Sequence, residues 1–310
     1  QVKDKQFLGR KVLNEFVKAG APEEILMVSK PHIGTFKLVK MVENMRNEII
    51  SLGGEIRFDS KVESIQRELD GDTPNNSGKI TGLTLSNGET LQGQHIILAI
   101  GHSARDTFEM LLEYGVFIEP KAFSIGFRIE HPQSVIDKAR FGEEAGNPIL
   151  GAADYSLVGI DLQRDLEKLA YEVGGGDFIA PAQLVGDFLK NKPSTELGTV
   201  APSYKPGVAL GDLTQVLPSY AVAAIREAIP KFDDKIRGFA MADAILTGVE
   251  TRTSAPICIQ RGKDFQSINT RGLYPAGEGA GYAGGIFSAA IDGIKVAQAV
   301  ALDILGAKPE

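Results

Sequence analysis

Five glycines, one acid and one aromatic stand together at Gly277-Glu278-Gly279-Ala280-Gly281-Tyr282-Ala283-Gly284-Gly285. Glycine lets backbone N–H groups approach a ligand closely. A helix opening from about Gly285 would offer unpaired donors and a partial positive charge to an anion. Glu278, just ahead of it, cannot hold an anion, but it can accept hydrogen bonds from sugar-alcohol hydroxyls. Phosphate and polyol presented together describe a dinucleotide, and the pattern reads as an FAD site. Its expected contacts are Gly277, Glu278, Gly279, Gly281, Tyr282, Gly284, Gly285 and Ile286. The competing reading is a strand-to-helix turn that binds nothing, against which the entropy cost of so dense a glycine run weighs.

Several elements must position this turn. Leu273 to Ala276 reads as a short apolar strand ahead of it, and a helix follows to roughly Leu305. His95-Ile-Ile-Leu-Ala-Ile-Gly101 reads as a fully buried strand ending in glycine. In flavoprotein folds such a glycine lets the chain pass close beneath the dinucleotide, so Gly101 joins the candidates; an ordinary buried strand with a turn glycine is the other reading. Glu55 to Ile65 alternates apolar and polar residues as a half-buried strand does, and Val62 would face an adenine, unless this is simply a helix-strand unit. Upstream, Phe7 to Ala19 is helical in pattern, with Leu8, Val12, Leu13 and Phe16 on one face. Thr35 can cap a helix that Gly53-Gly54 stops. Asn87-Gly88 is a hairpin signal, and Ser103 can cap a helix to about Tyr114. From Phe117 the pattern loosens. Residues 1–116 and 255–310 are expected to form one discontinuous FAD-binding domain, with 117–254 an inserted substrate domain. Pro218 to Ile229 is its clearest helix.

The 310 residues allow one large or two ordinary domains. Hydrophobic content of 43% and charged content of 24% are those of a globular protein. A net charge of −7 argues against a nucleic-acid partner, which would need a basic face. The two densest basic stretches, Lys37 to Arg46 and Arg261 to Lys263, read as a solvated helix face and a loop. One cysteine, Cys258, rules out an internal disulfide or a cysteine metal cluster. It fits a reducing, cytoplasmic compartment. No apolar run is long enough to span a bilayer, so no membrane partner is expected.

With these residues in view, the chain resembles the bacterial FAD-dependent (NAD(FAD)-utilising) dehydrogenases of unassigned substrate. The matching segments are Lys30-Pro-His-Ile-Gly-Thr, Leu52-Gly-Gly-Glu-Ile-Arg-Phe, Ala99-Ile-Gly-His-Ser-Ala-Arg-Asp-Thr, Gly174-Gly-Gly-Asp-Phe, Gly248-Val-Glu-Thr-Arg-Thr-Ser and the glycine turn. The resemblance implies an α/β fold of the two-dinucleotide-binding type with an α+β insert. It implies Glu278 on the ribityl hydroxyls, and the helix from Gly285 on the pyrophosphate or the flavin pyrimidine edge. Two departures stand out. Members of that family begin with a strand, a G-x-G-x-x-G turn and an acid for the ribose, and no such opening unit is matched here; that fingerprint is expected upstream of Gln1. Between Tyr155 and Gly159 the relatives carry a longer segment, and here the flanks are joined directly. A real deletion or an omitted segment would explain it, and omission is the reading preferred. FAD is therefore expected to bind weakly to the chain as given or to be absent from it.

A flavin performs the redox chemistry while the protein supplies position and electrostatics, so no catalytic triad is expected, and no metal site. The candidates near the isoalloxazine are His102, Arg105, Arg252 and Tyr282. His102 could supply a proton or a hydrogen bond near neutral pH, or be a loop histidine. Arg252 could clamp an anionic substrate by its planar fork, or pair with Glu250. Arg105 could pair with Asp106 or Glu109 on its own helix. Tyr282 reads as packing beside the glycines, His32 as closing a loop, and Cys258 as core. The expected function is an FAD-dependent oxidoreductase acting on a small organic substrate, with NAD(P)H as an electron partner implied only by the family label. The alternative is a non-redox flavin or nucleotide binder.

Overall fold

The computed structural model describes residues 7–28, 33–71, 76–121, 125–132, 134–136, 138, 161–251 and 255–307. In chain order the elements are α1 (Leu8–Lys18), α2 (Thr35–Ser51), β1 (Val62–Leu69), β2 (Gly78–Leu85), β3 (Thr90–Gln92), β4 (Ile96–Leu98), α3 (Arg105–Glu113), β5 (Ile118–Pro120) and β6 (Gly126–Glu130). Then come α4 (Asp161–Val173), β7 (Ala180–Leu184), α5 (Val185–Leu189), β8 (Val208–Leu210), α6 (Ser219–Asp233), β9 (Ile245–Glu250), β10 (Ile257–Ile259), β11 (Thr270–Arg271), β12 (Leu273–Pro275) and α7 (Ile286–Ile304). The fold is mixed α/β. It divides into one unit of residues 1–120 and 257–310 and a second of residues 121–256.

In the first unit, α1 turns Leu8, Val12 and Phe16 inward, and Val12 and Phe16 meet Ile25, Met41 of α2 and partly buried Ile291 and Ile294 of α7. Gly34, at φ +80°, takes the N-cap of α2, so Thr35 becomes its first helical residue instead of its cap. The helix stops at Gly53, whose φ is +88°. Gly53 N–H bonds the Ile50 carbonyl (3.0 Å) and Gly54 N–H the Ile49 carbonyl (2.9 Å), the paired closure of a Schellman motif.

The strand expected from Glu55 begins only at Val62. No described strand pairs with residues 55–61, and Glu55 to Asp59 stay exposed. From Val62 the chain pairs antiparallel with β2, which turns at Asn87-Gly88 into β3. Helix α3 opens at Arg105, with Ala104 at the N-cap; Ser103 gives its carbonyl to Arg105 N–H (2.9 Å), and no side chain caps the helix.

The glycine turn hangs from a two-stranded parallel sheet, β4 with β12, in the register Leu273↔Ile96, Tyr274↔Ile97 and Pro275↔Leu98. α7 packs on it through Val296 and Ala299 against Tyr274 and Ala276. The expectation that β4 is fully buried is corrected: Ile97 is 46% exposed. Burial on both faces requires a packed layer on each face of the sheet, and among the described residues β4 pairs in its sheet with β12 alone.

The second unit is built on the mixed sheet β6–β9–β7–β8. β6 and β7 flank β9 antiparallel, and β8 joins β7 in parallel. Its core gathers Leu166 and Ala170 of α4, Val185 and Phe188 of α5, and Val222 and Ile229 of α6 around Leu246 of β9. Gln183, fully buried, is satisfied by donating to the Lys192 carbonyl (2.6 Å) and accepting from Leu213 N–H (3.0 Å).

Candidate functional site

Beyond Pro275 the chain leaves the β4–β12 pair and turns back across the end of β4. Gly279 passes so close to Gly101 that a Cβ on it would lie 2.1 Å from the Gly101 carbonyl oxygen. Only glycine allows two backbones that close. This approach sets Glu278 beside His102: Glu278 Oε1 is 3.3 Å from His102 Nδ1, with the side chains 21% and 26% exposed. Four sequence candidates, Gly101, His102, Glu278 and Gly279, are thus brought to one place.

The turn then runs through Gly281 (φ +89°) against Cys258 of β10 and reaches Gly284 and Gly285, where a Cβ would meet nothing within 4 Å. Gly285 is the N-cap of α7 at φ 148°, and it accepts the first helical bond from Ala289 N–H (2.9 Å). A glycine N-cap carries no side-chain oxygen, so no side-chain cap occupies the donors of the first turn. Ser288 instead accepts from Gly284 N–H (3.1 Å) and donates to the Gly285 carbonyl (3.0 Å). Ile286 and Phe287 are exposed beside these donors. The arrangement can accept hydrogen bonds from a polyol at Glu278 and donate to an anion or an electron-rich ring edge at α7. It therefore fits the corresponding parts of FAD.

Gly279-x-Gly281-x-x-Gly284 also has the spacing of a dinucleotide fingerprint. In that fingerprint the helix starts within the glycine run; here it starts after it, at Ile286.

Beneath the turn lies a group that sequence reasoning missed. Arg261, expected in a solvated loop, forms a bidentate pair with Asp292 of α7 (Nη1–Oδ2 2.9 Å, Nη2–Oδ1 2.5 Å). Their side chains are only 8% and 9% exposed. Arg261 also donates to the Pro275 carbonyl (2.7 Å), and Asp292 accepts Gly277 N–H (2.8 Å). The Tyr282 ring covers the guanidinium at 3.7 Å. Its oxygen accepts Arg261 N–H (3.0 Å) and donates to the Ile259 carbonyl (3.3 Å). Burial, reinforced by the neighbouring Cys258 thiol, pushes this phenol up to about 12, so it stays protonated. Asp292 is an acid in the middle of a largely apolar helix, which was the available signal. At the other end of α7, Asp303 accepts from the buried Tyr274 hydroxyl (2.9 Å) and meets His95 Nε2 (2.9 Å).

Val62 and Arg105 lie on other elements. Val62 opens β1 and lines a cavity of about 160 Å³ with Lys61, Glu63, Ser86, Asp106, Thr107 and Met110. Arg105 begins α3, and Asp106 beside it pairs with Lys61 at 2.7 Å. Arg252 and His32 lie outside the described residues. Cys258 is half-buried on β10. Among the described residues no group of acids, histidines and cysteine could hold a metal ion, and no helix is long and apolar enough to cross a membrane.

Residues 122–159 and 156–253 match the family model described as FAD-dependent protein, C-terminal domain-like. The two pieces meet at the junction where the relatives were expected to carry a longer segment. An uncharacterised protein of Clostridium beijerinckii is 42% identical over 353 residues, covering 93% of this chain and 64% of that protein. That span exceeds 310 residues, so the relative carries additional residues inside it. The structure of Mycobacterium smegmatis Sdh1 in complex with UQ1 superposes with a TM-score of 0.43 at 15% identity, covering 98% of this chain and 56% of that one. A likeness that low does not assign the fold. The chain thus spans under two thirds of the length of these two proteins.

Proposed function

We propose that this chain belongs to an FAD-dependent oxidoreductase acting on a small organic molecule, with FAD held at the turn from Gly277 to Ile286. One observation carries the reading: the half-buried Glu278 carboxylate and the uncapped, glycine-opened start of α7 lie on one turn at the end of a parallel strand pair. The match of residues 122–253 to an FAD-dependent family supports it.

FAD, when bound, supplies the electron-transfer chemistry. Glu278 accepts hydrogen bonds from the ribityl hydroxyls, and the first N–H groups of α7 donate to the pyrophosphate or the pyrimidine edge. His102 moves a proton or donates a hydrogen bond to the substrate. Arg252 binds an anionic substrate group, with Arg105 a further candidate. Val62 faces the adenine. The second unit is the substrate domain, the compartment is cytoplasmic, and NAD(P)H is the electron partner.

The deciding measurement is the visible absorption spectrum of the purified full-length protein before and after denaturation, with the released cofactor identified. Flavin bands and FAD in the released fraction are expected. A colourless protein that takes up no FAD on reconstitution refutes the proposal. Bleaching of the bound flavin by NADH or NADPH would support the enzyme; a nicotinamide partner is rejected if neither reduces it.

A further inference from the structure

We infer that Arg261 and Asp292 are positioning residues for the cofactor turn, holding Gly277 to Tyr282 in its ligand-ready shape before any ligand arrives. The inference rests on the flavin reading above and goes beyond it, since neither side chain was a candidate contact and both lie beneath the turn.

The pair grips the turn at both ends. At the entry, Arg261 holds the Pro275 carbonyl and Asp292 holds Gly277 N–H. At the exit, the guanidinium underlies the Tyr282 ring, and the backbone of the same arginine donates to the Tyr282 oxygen. Tyr282 N–H returns to the Gly277 carbonyl (3.1 Å), closing the loop. Glu278, Gly279, Ala280 and Gly281 lie between these anchors, so the direction of the Glu278 carboxylate follows from them.

Stability alone is a weak reason for such a pair. A buried ion pair recovers its desolvation cost only with good geometry and further hydrogen bonds, and well-packed apolar residues often serve stability as well or better. What apolar residues cannot do is hold the Pro275 carbonyl and Gly277 N–H in place. A turn made largely of glycine is otherwise free to sample many shapes. Ordering it on binding would cost affinity, and preordering removes that cost.

The test compares wild-type full-length protein with the double variant Arg261→Met/Asp292→Leu. Three quantities are read: the thermal midpoint, hydrogen exchange of the segment 275–283 without cofactor, and the Kd for FAD by flavin fluorescence. The double variant is expected to keep a midpoint near wild type, to exchange faster across 275–283, and to bind FAD about tenfold more weakly or worse, a change of ~1.4 kcal/mol. A folded double variant with wild-type protection and wild-type Kd overturns the inference. Should the double variant not fold, Arg261→Lys takes its place under the same criteria, because it keeps the charge and loses the planar fork. Wild-type protein that binds no FAD refutes the flavin reading instead. The exchange comparison needs no cofactor and still decides whether the pair shapes the turn.

Discussion

Replacing Gly279 and Gly284 by alanine, one at a time, separates a glycine required by the fold from one kept open for a ligand. In Gly279→Ala the new Cβ would lie 2.1 Å from the Gly101 oxygen, 2.7 Å from its carbonyl carbon and 3.0 Å from its nitrogen. A relaxed carbon–oxygen contact is about 3.3 Å, so the two backbones must part by roughly 1 Å. They cannot part freely, because Ala276 N–H is bonded to the Leu98 carbonyl (3.0 Å) only a few residues away. Overpacking of this kind costs about 1–3 kcal/mol, and more where backbone meets backbone. At roughly 2–4 °C per kcal/mol for a body of this size, the midpoint should fall by several degrees. Gly284 has open space around its Cβ position and no positive φ. Gly284→Ala should leave stability unchanged or raise it by about 0.4–1 kcal/mol through the unfolded chain. Its methyl group would nevertheless crowd the donors of α7 and weaken FAD binding by about tenfold, ~1.4 kcal/mol. Thermal unfolding and flavin fluorescence titration of the three proteins suffice. A Gly279→Ala protein as stable as wild type would refute the close-approach argument; undiminished FAD affinity in Gly284→Ala would refute the ligand argument.

Glu278→Ala should weaken FAD binding in the full-length protein by about 1.5–3 kcal/mol, the value of a hydrogen bond to a charged group; retention equal to wild type would remove Glu278 from the site. Gly53→Ala places a side chain in the left-handed region that closes α2, and urea unfolding should show a loss of about 1–2 kcal/mol. His131 donates to the Phe239 carbonyl at 2.7 Å, and burial lowers its pKa from 6.5. Between the lowered folded value and 6.5 the unfolded state binds the extra proton, so stability is full above that window and falls as pH drops through it. Urea midpoints taken from about pH 7.5 to about pH 5.5 should decline for wild type and stay flatter for His131→Gln, and equal slopes would contradict this.

What could be read from the sequence was what is local. The strand-turn-helix around the glycines, the Gly53-Gly54 stop and the Asn87-Gly88 hairpin depend on residues within a few positions of each other. Three expectations failed because they depended on neighbours. Glu55 to Asp59 alternates like a strand, but a strand exists only where a partner pairs with it. Ile97 sits in an apolar run, yet its burial is decided by what flanks β4. Ser103 has the right chemistry for a cap, but the helix opens at Arg105 and the cap position falls to Ala104. In the site, Gly101, His102, Glu278 and Gly279 converge because two distant segments share one sheet. The Arg261–Asp292 pair was hidden because its members are distant in sequence and each looked ordinary alone. A carboxylate in the middle of a largely apolar helix was the clue, since a buried acid needs a partner.

Helix α7 is moored twice. Asp292 and Asp303 are three turns apart at 3.6 residues per turn, so both project from nearly the same line along the helix toward the β4–β12 pair. One reaches Arg261 and Gly277, the other Tyr274 and His95. A cylinder fastened at two points on one side can neither roll about its axis nor slide along it without pulling one of these acids from its partners. The helix is therefore the fixed jaw of the site, and any adjustment to an arriving molecule must be made by the few backbone torsions between Ala283 and Gly285.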